Sequence, residues 1–119
     1  MKKSLLLSSM LLASSIAIPS TSFAEDASNV GLRICEYVQA NDKNRLRSYL
    51  KLQKIKIRDI FDDIRCNGKD LLVFAATHKS LETGEFLIGK IQAKKVAESY
   101  DEIAKFSAHL AVQAKERMK

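Results

Sequence analysis

The sequence predicts an all-α fold, a small bundle of about six helices held by one disulfide, and three observations carry that prediction. Apolar residues beyond residue 28 recur at steps of three and four, the helical period, over most of the chain. Turn-forming pairs, Asn41-Asp42 and Asn67-Gly68, punctuate these stretches. Leu71 to Ala76 is apolar without a polar break, as a helix in the middle of a core must be.

The chain opens on an export signal. Met1-Lys2-Lys3 supplies the positive start, Leu5 to Ile18 the apolar stretch, and Ser22-Phe23-Ala24 a small-x-small cleavage site before Glu25. Serines at 8, 9, 14 and 15 and the closing Pro19 leave this stretch short of the roughly 20 apolar residues a membrane span needs. Cleavage after residue 24 leaves 95 of the 119 residues, one domain's worth. The expected layout is a signal peptide over 1–24, a disordered leader over 25–28, a helical core domain over 29–91, and a C-terminal helix over 92–119 packed on that core. The destination is the periplasm, or secretion. No later apolar run approaches a transmembrane length.

Loss of Lys2 and Lys3 leaves 18 basic and 14 acidic side chains, a net charge of +4. An exported chain rarely meets nucleic acid, and no aromatic residues interleave with the cations as stacking readers require. Anionic head groups, polysaccharide or an acidic protein surface are the partners that charge points to.

Cys35 and Cys66 are the two cysteines, and export places them where thiols are oxidised, so they are expected to pair. Closing a loop of about 32 residues is worth roughly 3.5 to 4 kcal/mol in the chain-entropy model, a large share of a small domain's stability. The spacing is not the C-x-x-C of a redox pair, and a structural staple is the better reading.

Val30, Ile34, Cys35 and Val38 define a first helix over about 29–40, with Ser28 or Asn29 as cap. Asn41-Asp42 turns the chain into a second helix over about 43–52, marked by Leu46, Tyr49 and Leu50. Its continuation to residue 58 stays open, because Lys54-Ile55-Lys56-Ile57 alternates as an extended connector does. Ile57, Ile60, Phe61 and Ile64 mark a short third helix over about 58–64, closed by Asn67-Gly68. The apolar 70–78 stretch is the fourth. Ser80 caps the fifth, whose inner face is Leu81, Gly84, Leu87, Ile88 and Ile91. A glycine mid-helix costs about 1 kcal/mol of propensity, so Gly84 signals close packing of two helices. Val96, Tyr100, Ile103, Ser107, Leu110, Ala114 and Met118 then repeat over about 94–118 as one long helix. It is expected either to fold back over the fourth and fifth helices or to pair with a second chain, with folding back and a monomer favoured because 95 residues need the extra apolar area.

The string Cys35-Glu36-Tyr37-Val38, Ala40-Asn41-Asp42-Lys43, Arg45-Leu46-Arg47, Ile57-Arg58-Asp59-Ile60-Phe61, Cys66-Asn67-Gly68 and Leu71-Leu72-Val73-Phe74-Ala75 resembles a domain-of-unknown-function family of short exported Gram-negative proteins, over about 32–91. That resemblance implies export, the cysteine pair and a single small domain, and carries over no catalytic or binding residue. Residues 66–91, a Gly turn, a short apolar helix and a second helix, are also similar to an ankyrin unit.

One surface feature has a sharp geometry. On an unbroken helix from 43 to 58, Lys43, Arg47, Lys51, Lys54 and Arg58 fall within about 80° of one another. No acidic residue lies between Asp42 and Asp59 to neutralise them, so the stripe is a candidate footprint for an anionic partner. Asp59, Asp62 and Asp63 lack EF-hand spacing and belong on the wet side of the third helix. His78 and His109 have no Ser, Cys or Asp partner in sequence, and no nucleophile elbow, phosphate loop or zinc motif is present. The reading is a non-enzymatic binding module for an unknown protein or anionic envelope component, with no catalytic residue, cofactor or metal expected. A small enzyme or enzyme inhibitor with a site assembled only by the fold is the alternative.

Overall fold

The computed structural model describes residues 27–119, with side chains described from 29 onward. The signal over 1–24 and the leader's residues 25 and 26 lie outside the described residues. Among the described residues seven α-helices and one 3-10 turn follow one another: α1 (Ala27–Gln39), α2 (Lys43–Leu52), α3 (Ile57–Ile60), the 3-10 turn Phe61–Asp63, α4 (Leu71–Thr77), α5 (Leu81–Lys90), α6 (Ala93–Phe106) and α7 (Ala108–Met118). Among the described residues there is no strand, only an isolated bridge between Cys66 and Lys69.

α4 is the centre. All six residues from Leu71 to Ala76 are buried, because α1, α5 and α6 pack around it. Its N-terminus is fastened by Asp70, one carboxylate oxygen accepting from the Val73 backbone N–H at 2.8 Å and the other from the Ser99 hydroxyl of α6 at 2.5 Å. One side chain thus caps one helix and moors a second.

α1 begins at Ala27, so Ser28 and Asn29 lie in its first turn instead of capping it. Ile34 and Val38 are its fully buried face. The predicted disulfide is formed: Cys35 of α1 and Cys66 lie 5.8 Å apart between Cα atoms, inside the reach of the bond. Cys66 sits at the foot of a two-residue turn in which Asn67 and Gly68 both take positive φ, 53° and 79°. Cys66 and Lys69 exchange both backbone hydrogen bonds across it, at 2.8 and 3.0 Å. Asn-Gly therefore makes a tight hairpin here as well as ending what precedes it.

α2 has the predicted bounds, with Asp42 as cap accepting from the Arg45 N–H at 3.1 Å. It does not run on to residue 58. Lys54 takes φ of 57° and the chain is extended at Lys56, so α3 is a separate helix. The third helix expected over 58–64 is a single α turn followed by the 3-10 turn, and the side chains of Asp59, Asp62 and Asp63 face water as expected.

The single long C-terminal helix is also corrected. Ser107 is extended, at φ −150° and ψ 107°, and divides it into α6 and α7. The Ser107 hydroxyl accepts from the Leu110 N–H at 3.1 Å, which starts α7, and the Lys79 ammonium takes the freed Phe106 carbonyl. The two helices fold into a hairpin, α6 against α4 and α7 against α5 and α6. Val96, Ile103 and Leu110 are buried by it and Phe106 is half-buried, so the apolar stripe folds back on this chain. Tyr49, Phe61 and Phe74 are buried in the core, while Tyr37 and Phe86 are only partly buried against it.

Gly84 of α5 lies where α7 crosses it. A Cβ there would stand 2.6 and 2.9 Å from the two Leu110 methyls, so the glycine is what lets the helices meet. The N-terminus of α5 is capped from a distance: the Asn41 side-chain oxygen accepts from the N–H groups of Glu82 and Thr83, at 2.9 and 3.0 Å. Ser80, expected to cap this helix, makes no such bond and instead donates to the Gln39 carbonyl at 3.4 Å.

Candidate functional site

Because α2 ends at Leu52, the five-cation stripe does not exist as one helix face. Three of its members nevertheless come together. Arg47 and Lys51, one turn apart on α2, and Arg58 of α3 line one concave groove of about 820 Å³, whereas Lys43 and Lys54 do not line it. Three cations outside that stripe complete it: Lys56 at the start of α3, Lys90 at the end of α5 and Arg117 near the end of α7. Its apolar parts are Leu50, Ile55, Ile57 and Phe86, and among the described residues no carboxylate lines it.

Each element places its cation for a local reason. Lys51, Lys90 and Arg117 stand in the last turns of α2, α5 and α7, where the negative end of the helix dipole favours a positive side chain. Lys90 also lies over the Phe86 ring, 5.9 Å from its centroid. Arg117 is held most firmly: its Nε and Nη2 donate to the Ile91 carbonyl at 3.2 and 3.0 Å, leaving Nη1 and the second hydrogen of Nη2 to other acceptors. Three helix C-termini each carry roughly half a negative charge, which offsets about 1.5 of the six positive charges. The groove stays strongly positive. The ion pairs at Arg45–Asp42, Lys95–Asp62, His109–Glu85 and Lys119–Glu116 involve none of the six cations.

Such a lining can hold anions by charge and by directed hydrogen bonds, with the three guanidinium groups of Arg47, Arg58 and Arg117 available to the oxygens of phosphate or carboxylate. Among the described residues that line it there is no imidazole, thiol or carboxylate. The histidines lie elsewhere: His78 ends α4 with its ring edge on Phe74, and His109 of α7 pairs with Glu85 of α5. Among the described residues no three His, Cys, Asp or Glu side chains gather as metal ligands, and no helix is long and apolar enough to cross a membrane.

The family described as Protein of unknown function (DUF3718) matches residues 34–99, which is 66 of the 119 residues. The chain belongs to this family. The match runs from the buried face of α1 to the first half of α6, and so includes both cysteines and five of the six groove cations, with Arg117 beyond it. None of the curated proteins and none of the solved structures matches the chain, and the ankyrin likeness gains nothing beyond the order of turn and helices.

Proposed function

We propose that this protein is an exported, non-enzymatic binding module of the periplasm whose basic groove captures an anionic partner. The observation that carries the reading is the convergence of Arg47, Lys51, Lys56, Arg58, Lys90 and Arg117 around one concavity that no carboxylate among the described residues lines. Chance placement of surface cations would leave them interspersed with the 14 acidic residues. The volume is within the range of small-ligand sites, roughly 300 to 1,000 Å³. The disulfide supports export, since such bonds persist in oxidising compartments. The absence of any proton-transferring pair in the lining favours binding over catalysis.

Titration of the protein with inorganic tripolyphosphate, followed by calorimetry at several salt concentrations, tests this. Binding should weaken steeply with salt and fall by at least about tenfold when Arg47 and Arg58 are both changed to Glu. Equal binding by wild type and the double variant, or none by either, overturns the groove as an anion site.

A further inference from the structure

One side chain next in sequence to the groove's lining is not explained by its electrostatics. Leu52, the last residue of α2, is 79% exposed, more than any other large apolar side chain among the described residues that stand out in water. It follows Lys51 directly, and Ile55 and Lys56 rejoin the lining three and four residues later. The stretch from Lys51 to Arg58 therefore carries four cations and no acid, with a bare leucine at the turn between α2 and α3.

A small soluble anion offers no apolar layer to receive such a leucine. A lipid surface uses both parts: anionic head groups attract the cations, and an apolar side chain dips into the boundary between head groups and acyl chains. Resting on the anion-binding reading above, we propose that the groove's partner is the surface of an anionic phospholipid membrane, with a phosphodiester head group among Arg47, Lys51 and Arg58 and Leu52 inserted beside it. Cations near such a surface act additively, so the six around this groove suffice for reversible attachment without a spanning helix.

Sedimentation with vesicles tests this, using the exported protein with its disulfide intact. Vesicles of equal parts phosphatidylglycerol and phosphatidylcholine should retain the protein, and vesicles of phosphatidylcholine alone should not. Lys51→Glu with Arg58→Glu should reduce retention at least about tenfold. Leu52→Ser should reduce it several-fold while leaving calorimetric affinity for inorganic tripolyphosphate unchanged, because only the lipid offers an apolar layer. Circular dichroism of each variant verifies the fold. If Leu52→Ser leaves retention unaltered, or the charge variant is retained like wild type, the membrane inference is wrong. If tripolyphosphate or polyglutamate binds through the groove and the anionic vesicles do not, the inference falls while the anion-binding reading stands. If no anion binds, both fall.

Discussion

Adding one methyl group at Gly84 should separate local helix preference from tertiary packing. In Gly84→Ala the new Cβ meets Leu110 at 2.6, 2.9 and 3.3 Å, against an optimum carbon separation of about 3.5 to 4.0 Å. Leu110 is only 1% exposed, so it must move by roughly an ångström into packed neighbours, at a cost of about 1 to 3 kcal/mol. Against this, alanine gains up to about 1 kcal/mol of helix propensity over glycine. The net expectation is a loss of about 0 to 2 kcal/mol. Gly89, five residues on in the same helix, is the internal control: it is exposed and a Cβ there meets nothing within 4 Å. Gly89→Ala should stabilise by about 0.5 to 1 kcal/mol. The two variants should then differ in melting temperature by at least about 2 °C in a domain of this size, measured by circular dichroism. In a Leu110→Ala background Gly84→Ala should lose its penalty, giving a coupling of about 1 kcal/mol or more in the double-mutant cycle. Equal stabilisation by Gly84→Ala and Gly89→Ala would refute the close approach of α5 and α7.

Three further outcomes are expected. Replacing Cys35 and Cys66 by Ala should cost roughly 3.5 to 4 kcal/mol in urea unfolding, from the released 31-residue separation, and reduction of the wild type should match it. Asn41→Ala removes the distant cap of α5 and places alanine at φ 57°, so a loss of about 1 to 2 kcal/mol is expected, whereas Asn41→Asp keeps the acceptor and should lose less. The Asp62 carboxylate, by hydrogen bond and charge, holds the Lys95 ammonium above its ordinary pKa of 10.5. A raised folded-state value means that this contact stabilises fully below the ordinary lysine pKa and is lost as pH rises through the folded one. Alkaline titration of stability should therefore show a larger fall in wild type than in Lys95→Met, and identical curves would discount the pair.

Local periodicity carries far in this chain, and its failures share a cause. The α2 limits, the buried α4, the disulfide and the meaning of Gly84 were readable because each rests on neighbours in sequence or on residue chemistry alone. The break at Ser107 was hidden because a hairpin turns both of its apolar faces inward, so the three-and-four rhythm passes through the break unchanged. Its trace was Ser107 itself, a capping residue three positions before Leu110. The groove was half legible. Arg47, Lys51 and Arg58 were marked by an acid-free stretch, but for the wrong reason, since the turn at Lys54 brings Arg58 to the others where a continuous helix was invoked. Lys90 and Arg117 lie far from that stretch in sequence, and only the packing of α5 and α7 brings them near it.

Six like charges gathered on one concavity also make the folded chain repel itself where no ligand is bound. That repulsion lowers the stability of the unliganded protein and is relieved by salt, by an anion in the groove, or by replacing a cation that no helix C-terminus favours, such as Arg47 or Lys56, with a neutral residue. Some of the residues needed for capture are then ones whose loss makes the domain harder to unfold, a trade of stability for function. A selection that scored only thermal resistance would erode this groove first, while leaving Asp70, Gly84 and the disulfide in place.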